Sequence, residues 1–179
     1  LDWITPNVGK AATEAGLFNV KNARLEGIAL LGPRRILLAV EREPRGLIEV
    51  SWEEGADEDE PQIKAWATDE TMLTLPEPRA VDFTDLHLDG GGLYALVRNA
   101  DAVVPIEWSE GHLEELDEWS FRHVVEDSAY AYSNQTFGKA EGLAMDDERV
   151  YIVLDNNGQA RLADDTDTRS QLLIFTRPD

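Results

Sequence analysis

Short apolar runs separated by turn-forming clusters dominate this chain, and they recur. Leu25-Glu26-Gly27-Ile28-Ala29, Phe83-Thr84-Asp85-Leu86-His87 and Ala140-Glu141-Gly142-Leu143-Ala144 stand roughly 57 residues apart. Each is followed at matching distance by a second run: Ile36-Leu37-Leu38-Ala39-Val40, Leu93-Tyr94-Ala95-Leu96-Val97 and Val150-Tyr151-Ile152-Val153-Leu154. These end on a charged residue, Glu41, Arg98 or Asp155. Runs this short, bounded by Gly, Pro and Asp, read as strands. The first repeat predicts strands over 25–30, 35–40, 46–52 and 62–67. The second predicts 82–88, 93–97, 102–108 and 118–125, with Asp89-Gly90-Gly91-Gly92 as a hairpin turn. The third predicts 141–145, 150–154 and 171–175. Residues 112–119 allow one short helical turn at most.

Strand sets recurring at this period are the mark of propeller blades. The expected fold class is therefore all-β, a β-propeller with about three four-stranded blades. Blades are expected over 22–78, 79–137 and 138–179, the last lacking its outer strand. Residues 1–21, with Leu17-Phe18-Asn19-Val20, read as the end of a preceding blade. Closed propellers have about four to eight blades. Three blades thus predict half of a six-bladed ring, completed either by a second copy or by an N-terminal half. An open arc leaves sheet faces and edges exposed, which solvated proteins avoid.

Composition narrows the function classes. Sixteen basic against 36 acidic residues give a net charge of −20, which opposes binding to a phosphate backbone and argues against a nucleic-acid partner. The acid clusters at Glu53 to Glu60 and at Asp164, Asp165 and Asp167, a pattern of solvated loops or of cation attraction. No apolar run approaches the roughly 20 residues that span a bilayer. The chain has no cysteine, so thiolate catalysis and zinc–thiolate sites are closed to it. No Gly-x-Ser-x-Gly elbow, His-x-x-x-His pair or Walker-type loop occurs. His87 falls on an inner strand, where a channel or core histidine is the ordinary reading.

The chain resembles the phytase-like esterase family of β-propellers and, more loosely, the SdiA-regulated propellers. The resemblance is carried by Asn22-Ala23-Arg24-Leu25-Glu26-Gly27-Ile28-Ala29 with Glu41-Arg42-Glu43-Pro44-Arg45-Gly46. It is carried further by Gly138-Lys139-Ala140-Glu141-Gly142-Leu143-Ala144 with Val153-Leu154-Asp155-Asn156-Asn157, and by Ser170-Gln171-Leu172-Leu173-Ile174-Phe175. It covers most of residues 20–179. It implies a secreted or periplasmic protein and calcium-assisted hydrolysis of phosphoesters or esters. The middle repeat departs from the pattern, with Thr84-Asp85 in place of Glu-Gly and Arg98 in place of the acid.

Antiparallel neighbours return to the same edge, so Glu26 and Glu41 should share one rim, as should Glu141 and Asp155. Glu26, Glu41, Glu141 and Asp155 are hard oxygen donors suited to calcium. Glu26 and Glu141 are also the candidate acid/base groups, with Arg98 as a catalytic anion clamp and Arg42 and Asn156 as binding residues. A second reading stands beside this one, in which each Glu accepts hydrogen bonds from a neighbouring blade and holds the ring together. The segment 127–137 is either a plain connection or a pocket wall, with Tyr130 and Tyr132 stacking on a small anionic ligand. A non-enzymatic binding module is the alternative to a hydrolase, since propellers host both.

Overall fold

The computed structural model describes residues 7–53, 61–109 and 112–178. Trp3 and most of the acidic turn at 54–60 lie outside them. The chain is all-β, built from three antiparallel sheets that do not close into a barrel. The first holds β1 (Leu25–Gly32), β2 (Arg35–Val40), β3 (Arg45–Ser51) and β4 (Gln62–Thr68) in sequential order. The second holds β5 (Asp85–Asp89), β6 (Gly92–Val97), β7 (Ala102–Ser109) and β8 (His112–Glu115), with β9 (Trp119–Ser120) also paired to β7. The third holds β10 (Ala140–Met145), β11 (Arg149–Leu154) and β12 (Gln171–Thr176). The two helices, α1 (Gly9–Glu14) and α2 (Arg122–Val125), are short. No helix among the described residues is long and apolar enough to cross a membrane.

The sheets stack through their leading strands, β5 lying between β1 and β10. Alternation within each second strand explains the stacking. Leu37 and Ala39 of β2 pack on Leu86, Leu93, Ala95 and Val97 of the second sheet. Leu96 and Tyr94 of β6 pack on Leu143, Met145, Val150 and Ile152 of the third. Full burial of a leucine such as Leu37 or Leu47 contributes about 2–3 kcal/mol. Gly27 permits this approach, since a Cβ there would stand 2.8 Å from the Asp85 Cα. Asp85 also bridges sheets: one carboxylate oxygen accepts the Leu143 N–H at 2.7 Å and the other the Leu86 N–H at 2.8 Å. Farther out, the fully buried Arg45 pairs with Glu115 at 2.5 Å and lies over the Phe83 ring.

Two expected elements are corrected. Residues 17–20, read as the end of a preceding blade, form no strand. They follow α1, and Leu17 is buried under the first sheet. Gly9-Lys-Ala-Ala-Thr-Glu favours a helix, and a Schellman pattern stops it: Leu17 N–H donates to the Ala12 carbonyl and Gly16 N–H, at φ 80°, to Thr13. The fourth strand of the second sheet is not 118–125. It is split into β8 and β9, and α2 occupies 122–125. Pro105 is the cause: its carbonyl accepts the Leu116 N–H, but it has no N–H to return on that edge.

Candidate functional site at the mouth of the sheet stack

The site grows from two features of the repeat. In β1 the register passes from Leu25↔Val40 to Gly27↔Ala39, and in β10 from Ala140↔Leu154 to Gly142↔Val153. Glu26 and Glu141 are the extra residues of matching β-bulges, which turn a side chain toward the rim. Immediately past the second strands come Glu41, Arg98 and Asp155. The carbonyl of Glu41 accepts the Phe83 N–H at 2.8 Å, tying the first sheet to the second.

Arg98 stands at the centre. Its Nη2 donates to Glu41 Oε1 at 2.6 Å, its Nη1 to Glu141 Oε1 at 2.8 Å and its Nε to Asp82 Oδ2 at 3.1 Å. One guanidinium thus holds a carboxylate from each of the three sheets or their leading segments. Gly138 makes room for it, because a Cβ there would fall 2.0 Å from the Arg98 carbonyl oxygen. Asp82 and Glu41 are buried. Burial pushes the Asp82 carboxyl up to about 6, against the Arg98 charge and the Asn99 N–H that hold it down. Burial works to lower Arg98, but Asp82 and Glu141 outweigh it and hold the guanidinium above its ordinary value. Arg42 is engaged as well, on Glu41 and, at 3.7 Å, on Glu43.

In front of this cluster lies a cavity of about 570 Å³. Glu26, Glu41, Glu43, Arg42, Arg98, Asn22, Asn157 and Phe137 contribute to its wall. Glu26 is exposed and has no hydrogen bond or ion pair among the described residues. The cavity's uncompensated charge is therefore acidic. Among the described residues, its wall carries no hydroxyl, imidazole or primary amine side chain.

The structure brings Glu26, Glu41, Arg42 and Arg98 to one cavity, and Glu141 reaches it through Arg98. Asp155 is exposed and does not line the cavity; its Oδ1 accepts the Asn157 N–H at 3.3 Å. Asn156 secures the loop that follows, donating to the Gln159 and Thr168 carbonyls. Tyr132 is buried and donates its hydroxyl to the Arg169 carbonyl at 3.0 Å. Tyr130 is half exposed, and its carbonyl accepts from Gln171. Neither tyrosine lines the cavity. Among the described residues, no group of three or more His, Cys, Asp or Glu side chains is placed to hold a metal ion. Glu41 and Glu141 each turn one oxygen to Arg98, and Asp155 does not line the cavity with Glu26 and Glu41.

Sequence reasoning missed Asp82, Asn22, Glu43 and Asn157. Asp82 carried a signal, being a lone acid in Ala80-Val81-Asp82-Phe83 at the repeat position of Arg24 and Lys139. No family model, curated protein or solved structure matches this chain.

Proposed function

We propose that the three sheets are consecutive blades of a β-propeller and that their mouth is a non-catalytic binding site for a small organic cation, an amine or guanidinium. The blade reading is supported by the common strand order, the adjacency of β1, β5 and β10, and the matching bulges at Glu26 and Glu141. The ligand reading is carried by the saturation of Arg98 with three carboxylates while Glu26, beside the same cavity, has no partner among the described residues. A guanidinium already holding three carboxylates has little left for an anionic ligand, whereas a free carboxylate in a net-acidic cavity attracts a cation.

Agmatine, with one amine and one guanidinium, is the probe for calorimetry. Binding is expected to weaken with salt, and Glu26→Gln to weaken it about tenfold. Stability should change by less than about 0.5 kcal/mol, as for other exposed positions. Equal affinity of wild type and variant would sink the reading. The hydrolase implied by the family resemblance is the second reading, favoured by the placing of Glu26 with two guanidinium groups in one cavity. It predicts turnover of an aryl phosphate or aryl acetate, stimulated by calcium and lost in Glu26→Gln.

A further inference from the structure

The two ends of the sheet stack differ, and the repeat says what each end lacks. Inside the chain, Leu37 and Ala39 of one sheet, then Tyr94 and Leu96 of the next, face forward onto a following sheet. The receiving surfaces begin with Leu86 and Leu88 of β5 and with Leu143 and Met145 of β10. Tyr151 and Val153 of β11 occupy the repeat positions of Tyr94 and Leu96, yet no following sheet covers them among the described residues. Val153, Leu172 and Ile174 are 46%, 57% and 54% exposed. They form one apolar face, since Val153 pairs with Leu172 and Tyr151 with both Ile174 and Ala144. At the other end, Ile28 and Leu30 of β1 occupy the positions of Leu86 and Leu88. They are 61% and 64% exposed, where Leu86 is 4%.

We propose that a second copy of this chain covers both surfaces. The third-sheet face of each copy receives the β1 rim of the other, so that two equal contacts close six sheets around a two-fold axis. Each contact repeats the pairing already made twice within the chain, a forward face of Tyr or Leu against a leading-strand pair of aliphatic side chains. The segment ahead of β1 is compatible with this. It covers Leu38 and Val40, and α1 lies by β4, the outermost strand of the first sheet. The third sheet has only three strands among the described residues, so it leaves open the outer region that α1 fills. On the first sheet the new contact is therefore confined to β1, the segment ahead of it already covering β2 and β3, and closure stops the association at two. The two mouth cavities then open on one channel. This inference rests on the blade reading, not on the ligand.

Sedimentation velocity over a range of concentrations, with circular dichroism on the same samples, tests it. Wild type is expected at twice the chain mass. Val153→Asp and Ile28→Asp are each expected to sediment as monomers with unchanged β-sheet spectra. Leu172→Glu replaces Val153→Asp if that variant does not fold. An equimolar mixture of the two variants is expected to recover a weaker dimer, because the mixed pair retains one intact contact. A wild type that is monomeric at every concentration overturns the inference. So does an Ile28→Asp protein that dimerises as wild type does, since that means third-sheet faces pair with each other. Agmatine binding measured on these samples keeps the two proposals separate: a wild type that is monomeric yet binds it overturns dimer closure alone.

Discussion

Replacing Arg98 by Met keeps most of the side chain's length and removes the guanidinium that pairs with Glu41, Asp82 and Glu141 at once. Glu41 and Asp82 are 3% and 0% exposed, so water cannot take over the role of the guanidinium. Breaking a buried pair by deleting one partner costs about 3–5 kcal/mol, a large part of the roughly 5–15 kcal/mol that holds a domain folded. Glu41 keeps Arg42, so the loss falls mainly on Asp82 and should be largest at pH 8, where that carboxylate is ionised. It should shrink toward pH 5, where protonating Asp82 relieves the repulsion. Urea denaturation of wild type and Arg98→Met at both pH values reads this directly through the midpoint shift. A loss below about 1 kcal/mol at pH 8, or one equal at both pH values, would refute the strut and return Arg98 to the role of an available clamp for ligands.

Asp82→Asn isolates the raised carboxyl. A group held at about 6 against an ordinary 3.8 favours the folded state while protonated. Its contribution is full below about pH 4 and is lost as pH rises through about 6. Wild type should therefore lose about 2 kcal/mol relative to Asp82→Asn between pH 4 and pH 7, measured as the difference between two denaturation series; a flat difference would count against it. Gly138→Ala places a methyl 2.0 Å from the Arg98 carbonyl oxygen and 2.6 Å from its Cγ. It should cost at least about 1–3 kcal/mol, visible as a drop in Tm. Glu26→Gln, by contrast, should leave Tm unchanged while weakening agmatine binding. The pair separates the architecture of the mouth from its chemistry.

The sequence by itself determined most of the strands and their grouping, the outer edge of the second sheet excepted. Two-residue alternation and a recurring spacing near 57 are local properties, and a residue's face on a strand follows from parity alone. It also determined that Glu26, Glu41, Arg98 and Glu141 belong to one rim, because equal offsets from equivalent strands put side chains at equivalent places. It did not determine the segment after α1, since Leu17-Phe18-Asn19-Val20 is apolar enough for a strand and only the Ala12–Leu17 turn and the burial of Leu17 under the first sheet show that it forms none. Nor did it determine the partners of Arg98. Asp82, Glu41 and Glu141 lie 16, 57 and 43 residues away along the chain, and which of them a guanidinium chooses depends on how closely three sheets stack. That spacing is set by glycines such as Gly27 and Gly138 against neighbouring backbone. Tertiary structure alone therefore decided that the charged rim read as ligands is, in large part, an internal ion-pair network, with Glu26 left outside it to meet the solvent.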